Sequence, residues 1–175
     1  MIPTVEEAID LLRERGLDNH VIEHAKKVAE IAAELGEKIE KNGIAVEMEV
    51  LIIGALLHDI GRSETHSIEH GFLGARMLRD EGVDERVVRI AERHVGAGLE
   101  EEQGFPCDLF PETVEEKLVC WADKITAGKE RVKPEEAMRR LREELGNDHP
   151  GYLRAVELKR EIEEMVREEQ TPSKL

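Results

Sequence analysis

Aromatic side chains are nearly absent from this sequence, which holds one Trp, one Tyr and three Phe. That scarcity, together with 37% charged residues and very few Asn and Gln, suits an all-helical chain with a core of Leu, Ile, Val and Ala. The same charged bias resembles that of proteins from very hot environments. Cysteine is also scarce. Cys107 and Cys120 have neither CxxC spacing nor a secretory context, so reduced thiols in a cytoplasmic protein are expected. Long apolar runs are missing: Val50 to Leu57 is far too short to span a bilayer. The first residues lack the basic and apolar pattern of a leader, so no membrane partner is expected. A basic excess is missing too. The formal net charge of −15 argues against a nucleic-acid partner. It leaves room for a small anionic substrate, because a metal centre and a few Arg or Lys can reverse the local potential.

Strand-like alternation, repeats and linkers are absent, whereas apolar residues recur at helical spacing almost throughout. The 175 residues suit one substantial core. Thr4 with Glu7 forms a capping box for a first helix that Gly16 ends. A longer helix runs from Asp18 or Asn19 to about Asn42-Gly43, and a third from about Val46 to Ile60, stopped by Gly61. Further helices are expected from Ser67 to near Gly82, from the Asp84 cap to Gly96, and from about Glu112 to Ala127. The last two run from Pro134 to Leu145 and from about Pro150 to Glu169. The expected architecture is a single all-α domain over 1–175, a bundle of roughly eight helices with one long irregular loop, Ala97 to Pro111.

Onto this background fall His24, the pair His58-Asp59, His70, His94 and Asp123, each on or beside the apolar stripe of its own helix. A side chain that leaves water while keeping lone pairs available is what a metal ligand requires. The third helix is apolar nearly all round, and an ionised Asp59 there is costly unless something cationic neutralises it. Asp123 poses the same problem in Leu118-Val-Cys-Trp-Ala-Asp-Lys-Ile. Each residue alone has a bland reading as a satisfied core histidine or a locally bonded acid. Jointly those readings require several independent coincidences. For His20 the bland reading holds, and His149 before Pro150 reads as a helix-start residue.

The ordered set resembles the HD superfamily of metal-dependent phosphohydrolases, and Leu56-Leu-His-Asp-Ile-Gly-Arg62 is similar to its HDIGK variant. The resemblance runs from about His24 to Ile125, so the motif core is about 20–127, with a C-terminal helical extension at about 134–169. His70-Gly-Phe-Leu-Gly-Ala75, His94-Val-Gly96 and Ala122-Asp-Lys124 look closest to the di-metal branch that includes dinucleoside tetraphosphate hydrolases. Arg62 departs from the usual Lys and Val95 from a common Thr, which leaves the substrate open. The resemblance implies one ion on His24, His58, Asp59 and Asp123, and a second on His70 and His94 with Asp59 bridging. His66 is a ligand, a proton shuttle or a loop residue. Imidazole-rich ligation favours two divalent transition-metal ions (Fe, Mn, Co, Ni or Zn) over Mg or Ca.

The resemblance implies hydrolysis of a phosphate ester or anhydride in a small, nucleotide-like substrate, by metal-activated water at Asp59. Arg62 is the first candidate to grip a phosphoryl oxygen and Lys124 the second; Lys129 and Arg131 read first as plain surface charges and second as rim contacts. Phe105 or Phe110 either stacks on a base or anchors the loop. A di-iron oxygenase of the same superfamily is an alternative, and a non-catalytic metal or nucleotide-binding module another. Two well-known subclasses fit poorly: the Gly-Tyr-Pro signature resembling cyclic-dinucleotide phosphodiesterases is missing, as is the Glu-Asp pair of alarmone hydrolases. Val156, Ile162, Met165 and Val166 on the last helix pack internally or form the seam of a homodimer.

Overall fold

A computed structural model describes residues 1–96 and 109–167. Among these, eight α-helices follow one another: α1 (Val5–Glu14), α2 (Asn19–Lys41), α3 (Met48–Leu57), α4 (His70–Asp80), α5 (Glu85–Arg93), α6 (Val114–Lys124), α7 (Pro134–Leu145) and α8 (Pro150–Val166). The all-α expectation holds with two local additions. A short 3-10 helix, Ile60–Ser63, follows α3, and a small antiparallel hairpin, β1 (Thr126–Ala127) and β2 (Glu130–Arg131), follows α6.

Side-chain caps set four of the eight helix starts. Thr4 and Thr113 both form complete capping boxes, with Glu7 and Glu116, and Asp84 accepts from the Arg86 N–H. His149 caps α8 by accepting from the Gly151 N–H at 3.0 Å. Helix α3 is the hub and packs on α1, α2, α5 and α6. Its apolar face extends all round because it has neighbours on all sides. Gly54 allows the closest of these approaches, since a Cβ there would meet Ile90 Cδ1 at 2.3 Å. Helix α8 closes over α6 and α7, burying Ala155, Leu158 and Ile162. Met165 and Val166 pack against the core, whereas Val156 stays exposed. No helix among the described residues is long and apolar enough to cross a membrane.

Several boundaries differ from the sequence reading: the fourth helix begins at His70 rather than Ser67, and the fifth ends at Arg93 rather than Gly96. The third helix ends at Leu57, and the backbone then tightens into the 3-10 turn that contains Gly61. A close backbone crossing explains this: a Cβ on Gly61 would lie 1.9 Å from the His70 carbonyl oxygen and 2.7 Å from Gly74 N. The sixth helix stops at Lys124, where the hairpin takes over. Cys107, Phe105 and Glu168-Glu169 lie outside the described residues.

Candidate metal centre

Four histidines share one arrangement. Nδ1 of His58 donates to the Ala55 carbonyl at 2.7 Å, that of His70 to Ser67 at 2.6 Å, and that of His94 to Ala91 at 2.7 Å. His24 Nδ1 donates to the Gly128 carbonyl at 2.6 Å. A carbonyl only accepts, so each Nδ1 carries the hydrogen, and a neutral ring keeps its lone pair on Nε2. In three cases the acceptor lies three residues earlier, so the end or start of a helix fixes the tautomer locally. In the fourth, the hairpin tip reaches across to α2.

The Nε2 atoms converge on two carboxylates. His24 Nε2 lies 2.9 Å from Asp123 Oδ1, and His58 Nε2 lies 3.6 Å from the same oxygen and 3.5 Å from Asp59 Oδ2. Asp59 Oδ1 faces His70 Nε2 at 3.1 Å and His94 Nε2 at 3.5 Å. His70 and His94 bring their Nε2 atoms to 2.9 Å from each other. With both hydrogens committed to Nδ1, two lone pairs meet head on unless a proton or cation lies between them. His58 Nε2 and Asp59 Oδ1 are buried without a hydrogen-bond partner. Such groups are costly inside a protein.

These spacings are compatible with atoms that share a cation. Two atoms each about 2.1 Å from one ion stand about 3.0 Å apart at right angles and about 3.4 Å apart at the tetrahedral angle. Three overlapping groups, His24-His58-Asp59, His58-His94-Asp123 and Asp59-His70-His94, each offer atoms within 4.8 Å of one another. The six residues singled out from sequence as metal candidates are therefore brought together, and neutral imidazole with carboxylate suits a divalent transition metal.

The electrostatics carry the same imprint. Burial opposes a charge on His58, but Asp59 and Asp123 outweigh it and push its pKa up to about 9. Burial drives His94 down to about 4, helped by His58 and His70 beside it. Burial also penalises the anions Asp59 and Asp123, yet the surrounding imidazoles hold both below the usual carboxylate range. His24, half-buried, is raised because its bond to Asp123 outweighs the burial.

A cavity of about 580 Å³ opens onto one side of the cluster, lined by His24, Asp59, Arg62, His66, Gly128 and Lys129, with the start of α2 as the facing wall. Arg62 Nε donates to Asp59 Oδ2 at 2.8 Å and its guanidinium reaches the cavity. Lys124 is turned elsewhere: its Nζ donates to the Val95 carbonyl at 3.1 Å and lies 3.4 Å from Cys120 Sγ, tying α6 to the end of α5. This position fits a strut better than a phosphate grip. Arg131 is likewise engaged away from the cavity, with Glu34 at 2.7 Å. The Phe110 ring lies under Arg154, 5.0 Å from its guanidinium carbon, and its carbonyl accepts from Arg93, so it anchors rather than lines the site. The Gly128 carbonyl and the hairpin that carries it were not foreseen; backbone acceptors leave almost no trace in a sequence. His20 reaches the cavity wall but joins none of the metal-holding groups.

Comparison with known proteins agrees with this geometry. The HD domain family matches residues 21–128. An uncharacterized protein of Methanocaldococcus jannaschii is 41% identical over 93% of this chain and 98% of its own. A tRNA (cytidine(56)-2'-O)-methyltransferase of Thermoplasma volcanium is 41% identical over 76% of this chain but only 39% of its own length. Ribonuclease Y of Cutibacterium acnes is 30% identical over 85% of this chain and 26% of its own. The chain thus spans nearly all of the first relative and well under half of the other two. No solved structure matches the chain.

Proposed function

The chain belongs to the HD domain family, and from that premise we propose that it hydrolyses a phosphate ester or anhydride in a nucleotide or similar small molecule. The family supports the reaction type. The observation that carries the reading here is the sealed contact of Asp59, His70 and His94, whose lone pairs and charge call for a cation. In this reading His24, His58, Asp59 and Asp123 hold one ion, and His70 and His94 hold a second with Asp59 shared. Bound divalent ions supply Lewis acidity and an acidified water to such a site.

The protein's own groups do the rest. The Nδ1 bonds to backbone carbonyls keep the four rings oriented and raise their basicity as ligands. Arg62 steadies Asp59 through Nε and turns its remaining donors to the cavity, where a planar fork suits a non-bridging phosphoryl oxygen. Lys124 holds Val95, and with it His94, against the helix that bears Asp123.

Two of the relatives carry names that concern RNA, but the net charge of −15 favours a small substrate over a nucleic-acid polymer. The deciding experiment incubates metal-reconstituted protein with nucleoside mono-, di- and triphosphates, dinucleoside polyphosphates, phosphomonoesters and a short RNA, with Asp59→Ala as the control. Phosphate release from a small compound that vanishes in the variant is the expected result. Silence across the panel at full metal occupancy, with oxygen uptake by the iron-loaded protein, would transfer the site to the oxygenase class.

A further inference from the structure

The cavity beside the metal centre is larger than a phosphoryl group needs. Its volume of about 580 Å³ falls in the range of sites that enclose whole small molecules. Part of its lining has no task in the reading above. Lys129, at the hairpin tip, makes no hydrogen bond or ion pair among the described residues, although Lys26, Arg62 and Arg131 around it are all paired. The acid facing it, Glu23, is already held by Lys26 at 2.7 Å. His66 lines the same cavity and is also without a hydrogen bond. In a chain of net charge −15, this lining sets Arg62, Lys129 and three imidazoles against two acids, of which Asp59 belongs to the metal centre and Glu23 is paired with Lys26. Among the described residues that line the cavity, charged and imidazole side chains outnumber apolar ones and none is Phe, Tyr or Trp.

We propose that this cavity takes a small molecule bearing two separated phosphates, one presented to the metal centre and the other received by Lys129 and His66. The proposal rests on the phosphohydrolase reading and narrows its substrate class. The hairpin makes Lys129 more than a loose surface charge. Gly128, its neighbour, holds the metal-facing His24, while Arg131 clamps β2 to Glu34 of α2 and Val132 N–H donates back to the Ile125 carbonyl at 2.8 Å. The backbone at Lys129 is thereby fixed relative to the metal centre, and the residue lines the same cavity as Arg62.

The test compares adenosine 3′,5′-bisphosphate with adenosine 5′-monophosphate on the metal-loaded protein. The ratio of their kcat/KM values should favour the bisphosphate and should fall about tenfold in Lys129→Met, the loss of one charge-assisted contact. Lys129→Arg should retain the ratio, and His66→Gln should lower it. A ratio that Lys129→Met leaves unmoved overturns the proposal. If neither compound is cleaved, calorimetric binding of the same pair decides independently of chemistry. Bisphosphate affinity selectively weakened in Lys129→Met upholds the two-anion cavity while the hydrolytic reading falls, and equal affinity in parent and variant overturns it.

Discussion

The two halves of the metal centre use the same residue types in different surroundings. On one side His70, His94 and the Oδ1 edge of Asp59 are sealed, with side chains 6%, 1% and 6% exposed, while Asp59 Oδ2 turns to Arg62 and the cavity. On the other, His24 and Asp123 are 16% and 28% exposed, and His24 borders the cavity. The open pair satisfies itself at 2.9 Å once His24 takes up a proton, which its raised pKa favours, and solvent can complete what remains. In the sealed group two imidazoles crowd one buried carboxylate oxygen, and burial holds His94 neutral. The same imidazoles and carboxylate thus make a structural demand for a cation where they are closed in, and a reaction surface where they are not.

The largest blow to the sealed half is expected from Gly61→Ala. Its Cβ would meet backbone rather than a side chain that can swing away, so a loss of about 3 kcal/mol or more is expected in denaturant unfolding. A change below about 1 kcal/mol would mean that the 3-10 turn and α4 can separate without harm. Metal removal comes next. An ion at a hundred times its Kd stabilises the fold by about 2.7 kcal/mol, which chelation should abolish. His94→Gln should forfeit more of that gain than His24→Gln, and equal losses would erase the distinction between the halves.

The pH dependence of the metal-free protein sharpens the comparison further. Folded His58 keeps its proton up to about pH 9, so its contribution is complete below its unfolded value of about 6.5 and is lost as pH rises through about 9. His94 works in the other direction. Held neutral down to about 4, it lowers stability as pH falls from about 6.5 towards 4, because the unfolded chain binds the proton first. Stability should therefore peak near pH ~6.5 and decline on both sides, and urea midpoints between about pH 4 and 9 would reveal a flat profile if this is wrong. The smallest effect is expected on the open side. Arg131→Ala breaks a part-exposed pair with Glu34 and should cost under about 1 kcal/mol, while metal affinity falls because the hairpin holding His24 loosens.

Much of this was legible in the sequence because it is written in side chains. The apolar period gave the helices, Thr4 and Asp84 gave two of their starts, and buried polar residues on apolar stripes marked the cluster. What escaped depends on backbone. The early end of α3 follows from a crossing at Gly61 that involves residues far apart in sequence, and Gly128 acts through a carbonyl that any residue would possess. Lys129 read as a surface lysine or a rim contact with nothing in the sequence to choose between them, until the hairpin set it beside the cavity. Lys124 shows the converse: its place next to Asp123 suggested substrate, whereas its side chain runs to Val95.

His58 has a final consequence. With its pKa pushed up to about 9, the folded chain at neutral pH carries a hydrogen ion there when no metal is bound. That proton is a placeholder for positive charge between Asp59 and Asp123. Taking up metal is then an exchange of one cation for another, and the acidity of the surroundings enters as a reactant.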